Sequence, residues 1–158
     1  MIRIAVSGHR GLPAETVALV SEAIRESLAG HAPAITGLSC LADGADQIFA
    51  RAVITLGGTL EAVIPARRYR EGLPAETRHE YDALLGLAER VHELEFVDST
   101  PESHMAAGCL MLDHADELFA VWDGRPARGY GGTADVVAEA RRRGMNVRVI
   151  WPEGARRD

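Results

Sequence analysis

Short apolar runs rich in Val and Ile, such as Ile2-Arg3-Ile4-Ala5-Val6 and Leu118-Phe119-Ala120-Val121, alternate with longer stretches in which apolar residues return every third or fourth position. Runs of this length suit strands covered on both faces, and the 3.6-residue recurrence suits helices lying on them. The pattern predicts strands at about 2–7, 33–38, 59–64, 91–97, 117–122 and 146–151, and helices at about 14–29, 44–57, 75–89, 100–115 and 132–144. Each helix is long enough to return the chain for a parallel neighbour. The expected fold class is therefore α/β: a Rossmann-like, doubly wound, mainly parallel sheet of about six strands with helices on both faces. The first strand should be central, with the order reversing beside it. In such a sheet a ligand site lies where the carboxyl ends of the strands meet the loops that follow.

The first helix illustrates the pattern at residue level, because Val17, Val20, Ile24 and Leu28 form one apolar stripe. Pro13 suits its first turn, where no amide hydrogen is needed. The hexapeptide Gly-Leu-Pro-Ala-Glu-Thr occurs at 11–16 and again at 72–77, but the flanking sequences diverge, so it reads as a helix-start signal used twice. A single domain is expected over residues 1–152, with 153–158 as a short, frayed C-terminal tail.

Composition narrows the classes. At 158 residues and 47% hydrophobic content the chain can build one substantial core. No stretch approaches the roughly 18 apolar residues of a membrane span, so no membrane partner is expected. Met1 leads at once into a strand rather than a signal peptide, which implies a cytoplasmic location. Cys40 and Cys109 have no CxxC or Cys/His spacing, and both are expected to be reduced and packed. A net charge of −6 argues against a nucleic-acid backbone as the main partner. The basic clusters Arg67-Arg68-Tyr69-Arg70 and Arg141-Arg142-Arg143 read as solvated faces.

Three loops at strand ends could hold a phosphate. In the first, Ser7-Gly8-His9-Arg10-Gly11, glycines permit tight turns and Arg10 offers a planar fork to phosphate oxygens just ahead of a helix start. The second runs from Gly37-Leu38 to Asp43-Gly44-Ala45-Asp46. Its carboxylates either accept from ribose hydroxyls or shape the loop, with Asp43 as a helix cap and Asp46 in the first turn. The third contains Asp123, Gly124, Gly129, Gly131, Gly132 and Thr133, more glycines than a chain reversal needs. Gly131 and Gly132 would admit a ligand close to the backbone, and Thr133 can cap the helix or bond a phosphate. Arg125 and Arg128 add positive charge at its mouth.

Other chemistry finds little support. The GxGxxG spacing and the ribose-binding acid of dinucleotide enzymes are absent, which argues against hydride transfer. The six histidines form no HExxH or other close pair, so no metal is inferred, and no cofactor is assigned. Ser7 and Ser39 lack a GxSxG context, which argues against a serine hydrolase.

Taken in order, Ser7-Gly8-His9-Arg10, the stretch Gly37-Leu38 to Asp46, and Asp116-Glu117-Leu118-Phe119-Ala120-Val121-Trp122-Asp123-Gly124 leading to Gly131-Gly132-Thr133 resemble the SLOG superfamily. That group joins LOG-type, "lysine decarboxylase-like" nucleotide hydrolases with DNA-processing protein A and assorted nucleotide sensors. The resemblance spans nearly the whole chain and implies a nucleotide-binding fold with a phosphate loop. It departs at the hydrolytic residues. The Pro-Gly-Gly-x-Gly-Thr-x-x-Glu motif of LOG-type enzymes places its catalytic Glu at Val136 here, with Asp135 one position away. The usual Arg-Lys pair falls on Ala107-Gly108.

Three functions follow as expectations: a sensor-like nucleotide-binding module first, a LOG-like phosphoribohydrolase with altered catalytic residues second, and a DNA-binding relative third. The site residues expected at a nucleotide are Ser7, Gly8, His9, Arg10, Gly37, Leu38, Asp43, Gly44, Asp46, Asp123, Gly124, Gly129, Gly131, Gly132 and Thr133. LOG-like relatives are commonly dimers, so the resemblance also implies a homodimer.

Overall fold

The protein is described here from a computed structural model, covering residues 1–157. Asp158, the last residue of the expected tail, lies outside the described residues. The apolar runs form six strands: β1 (Ile2–Gly8), β2 (Ile35–Ser39), β3 (Thr59–Ile64), β4 (Arg90–Glu93), β5 (Glu117–Val121) and β6 (Asn146–Val149). They join in one sheet of order β4-β3-β2-β1-β5-β6, and every pairing is parallel. β1 lies between β2 and β5, so successive crossovers depart in opposite directions from it.

The connecting helices are α1 (Ala14–Ala29), α2 (Ala45–Thr55), α3 (Arg78–Leu87), α4 (Pro101–Asp113) and α5 (Thr133–Arg142). Because side chains alternate along a strand, the sheet presents two apolar faces. Ile4, Val6, Ile35, Phe119 and Val121 pack with Val20, Ile24 and Leu28 of α1 and Phe49 and Val53 of α2. Ala5, Leu38, Leu60, Ala62, Leu118 and Ala120 pack on the other side with Leu84 of α3, Met111 of α4, and Val136 and Val137 of α5. Fully burying one such Leu, Val or Phe stabilises the fold by about 1.5–3 kcal/mol.

Several boundaries differ from the sequence expectation. β4 stops at Glu93 because the chain then leaves the sheet, and the Phe96 and Val97 carbonyls accept instead from the Arg67 and Arg68 amides. Residues 75–77 form a separate 3₁₀ turn ahead of α3. Pro13 is the residue before the first turn of α1 rather than within it. α4 begins with a capping box, in which the Thr100 hydroxyl accepts from the Ser103 amide while Ser103 Oγ accepts from the Thr100 amide.

As far as Arg157 the tail is docked rather than frayed. Thr16 in α1 is fully buried, and its hydroxyl both donates to the Arg156 carbonyl (2.8 Å) and accepts from the Arg156 amide (3.0 Å). Arg156 is thereby fixed against the first helix. Among the described residues, no helix is long and apolar enough to cross a membrane.

Candidate functional site

The loops after β1, β2 and β5 are tied to one another by their backbones. A Cβ at Gly8 would sit 2.3 Å from Ala45 Cβ, so only glycine lets the end of β1 meet the start of α2. Gly44 has a φ of +84°, and a Cβ there would lie 2.6 Å from the His9 carbonyl, which accepts from the Ala45 amide at 3.2 Å. Asp43 does not cap α2: the N-cap position is Gly44, and no side chain caps it. Asp43 instead accepts from Arg10 Nε (2.8 Å) and the Gly11 amide (3.0 Å), fixing the first loop to the second.

The third loop is folded in the same way. His9 Nε2 accepts from the Asp123 amide at 3.0 Å, and the His9 ring meets Trp151 edge-on. Burial, and then the Arg157 charge, push the His9 pKa down, which suits a neutral ring acting as acceptor. Gly131, at φ +84°, passes so close to α4 that a Cβ would fall 2.6 Å from the Pro101 carbonyl. Asp135 turns back to accept from the Gly131 amide at 2.9 Å. At the start of α5 no side chain caps the helix, and the Thr133 and Ala134 amides have no acceptor among the described residues.

Ser7, Gly8, Arg10, Asp46, Gly129, Gly131, Gly132 and Thr133 line one cleft of about 470 Å³ at the carboxyl ends of the strands. Ser7 Oγ donates to Thr133 Oγ1 across it at 3.4 Å. Arg128 and the half-exposed Arg10 stand at its mouth. The remaining expected residues are elsewhere. Gly37 lies within β2, where a Cβ would come 2.7 Å from Val53 Cγ2 and 2.9 Å from Phe49 Cε1. Its missing side chain serves helix packing. Leu38 is fully buried in the core. Asp43 and Gly44 hold the loops together from behind the cleft. His9 and Asp123 brace the third loop, and Gly124, at φ +81°, only turns it.

Asp46 is the exceptional group in the cleft. Its carboxyl is buried, and its one hydrogen bond among the described residues is a long one, from the Ala42 amide to Oδ2 at 3.3 Å. Burial raises its pKa to about 7, against the opposing pull of the Ala42 amide and Arg10. Cys40 and Tyr69 share this wall, and burial pushes both pKa values up. His104, packed edge-on against Tyr69 and 2.7 Å from Ser99 Oγ, is held below its usual pKa by burial and by Arg10.

Cys40, Pro65, Tyr69, His104 and Met111 also line the cleft and were missed by sequence reasoning. Only Tyr69 had a signal, as an aromatic set among the arginines 67, 68 and 70, which are themselves exposed. Arg125, expected at the cleft mouth, turns to a separate chamber on the far side of the third loop. Among the described residues no group of three or more His, Cys, Asp or Glu side chains gathers as metal donors.

No family model matches the sequence, and no curated protein matches it. Solved structures do. DNA processing protein A (DprA) from Streptococcus pneumoniae superposes with a TM-score of 0.70 at 18% identity over 98% of this chain. DprA from Helicobacter pylori, described for its single-stranded DNA binding mode, gives 0.71 at 16% identity over 99%. The chain shares the Rossmann-like fold of DprA. It spans 52% of the S. pneumoniae chain and 68% of the H. pylori chain. A molybdenum cofactor binding protein from Rippkaea orientalis has the same fold at a TM-score of 0.60 and 12% identity, over 94% of this chain and 75% of its own.

Proposed function

We propose that the cleft binds a nucleotide or nucleotide derivative, with a phosphate seated on Ser7, Gly132 and Thr133 at the start of α5. The observation that carries this reading is the convergence of three glycine-bearing loops on one cleft beside a helix start with two amides that have no acceptor among the described residues. Those amides and the helix dipole favour an anion, and Arg10 and Arg128 supply charge at the mouth. The apolar wall of Cys40, Tyr69 and Met111 gives a base a surface to pack on. Membership of the SLOG group belongs to the same reading, supported by the likeness to DprA and the order of the loop motifs. So does a cytoplasmic homodimer, which size-exclusion chromatography with light scattering would test.

The protein reads as a sensor-like module rather than a LOG-type hydrolase. Val136 lines the cleft at the position of that group's catalytic Glu, while Asp135 is turned back onto the Gly131 amide. Neither can stabilise the positive charge that develops on ribose as an N-glycosidic bond breaks. One observation favours the hydrolase as a second reading: Asp46 puts a carboxyl titrating at about 7 in the cleft, where an acid or base could operate.

A thermal-shift panel of nucleotides tests binding, and chromatography of the same mixtures tests cleavage. Stabilisation with the nucleotide recovered intact supports the sensor. Release of free base, abolished by Asp46→Asn, supports the hydrolase, and no stabilisation by any nucleotide at millimolar concentration refutes both.

A further inference from the structure

Behind the third loop lies a second, smaller chamber of about 190 Å³. Arg10, Arg125, Arg128 and Arg157 line it, and among the described residues no Asp or Glu does. Arg10 is paired to Asp43, but Arg125, Arg128 and Arg157 make no ion pair with a carboxylate among the described residues. The nearest acid, Asp123, accepts from the Arg125 amide and lies against His9. Arg157 is brought there by the docking of the tail on Thr16, and burial and then the Arg128 charge lower its pKa. Asp123 offsets only part of the charge on Arg157, whose Nη1 otherwise lies 3.5 Å from His9 Nε2, and an anion placed among like charges relieves their repulsion.

The chamber adjoins the cleft. Gly8, Arg10, Arg128, Gly129, Gly132 and Thr133 line both, so the phosphate seat at Gly132-Thr133 is the wall they share. At about 190 Å³ the chamber falls below the roughly 300–1,000 Å³ of a site for a whole small molecule. It suits one further group of a ligand already held in the cleft. We infer that the ligand is a nucleoside diphosphate or longer, whose second phosphate passes Thr133 into the chamber and is held by Arg125, Arg128 and Arg157. This rests on the nucleotide reading of the cleft. The small volume and the net charge of −6 favour a small phosphate chain over a nucleic-acid strand.

The test is calorimetric titration of the full chain with matched pairs, AMP and ADP, GMP and GDP, CMP and CDP, UMP and UDP, together with a deoxythymidine decamer. For the base that fits, the diphosphate should bind about tenfold or more tightly than the monophosphate, the effect of added charge-assisted bonds. In the double variant Arg125→Gln, Arg157→Gln that ratio should collapse towards one, and Arg157→Lys should keep part of it. Circular dichroism checks that the variants fold, which the exposed position of Arg125 favours. Equal affinity for mono- and diphosphate overturns this inference alone, as does a preference that survives the double variant. If no nucleotide binds, the nucleotide reading fails as well. Binding of the decamer alone, weakened by the same substitutions, would assign the arginines to a nucleic acid and overturn both.

Discussion

Asp46→Asn should stabilise the protein, and by an amount that grows with pH. In the unfolded chain this carboxyl ionises near its ordinary value of 3.8, whereas in the fold it holds its proton up to about 7. Between those values the unfolded state carries fewer protons at this site than the native state, so stability falls as pH rises from about 4 to about 7 and levels off above. Three pH units at about 1.36 kcal/mol each make the full cost about 4 kcal/mol. Asn fills the same space, can accept from the Ala42 amide as Asp46 Oδ2 does, and never ionises. The assay is urea denaturation of both proteins from pH 4 to pH 8, reading the difference in unfolding free energy so that other carboxylates cancel. The variant's advantage should widen by about 3–4 kcal/mol across that range. A difference that stays constant with pH would show that Asp46 ionises normally in the fold, and that the burial assigned to it is wrong.

Gly44→Ala should cost more than about 1–2 kcal/mol, since it combines a left-handed backbone with a Cβ 2.6 Å from the His9 carbonyl; thermal denaturation would show this. Gly132→Val should fold but lose nucleotide stabilisation, which in the wild type should reach about 2.7 kcal/mol at a hundred times the dissociation constant. Thr16→Val removes both bonds to Arg156 and should cost about 1–3 kcal/mol, raise hydrogen exchange in residues 153–157, and weaken the preference for a diphosphate. Wild-type protein incubated with nucleoside monophosphates should release no free base by chromatography, because Val136 stands where LOG-type enzymes have a carboxylate.

Much of the architecture was legible in the chain because it is encoded locally. Apolar runs and 3.6-residue stripes are properties of a few adjacent residues, and so is a cluster of glycines after a strand, so the elements, the central place of the first strand and the three loops were legible in the chain. Individual roles could not. Gly37 and Leu38 belong to the same stretch as Asp46, yet the first makes room for Phe49 and Val53 and the second fills the core, because the point where β2 ends and the packing of α2 decide which positions reach the cleft. Asp43 has the sequence context of a helix cap, but Arg10, 33 positions earlier, takes its carboxylate. The pKa of Asp46 depends on how completely the surrounding elements exclude water, and Tyr69, His104 and Arg157 reach their places through contacts between distant segments. Sequence fixes what each element is, since hydrogen bonding along the backbone is local. Only tertiary packing decides which side chains share a cavity, and hence what dielectric and what neighbouring charges each one meets.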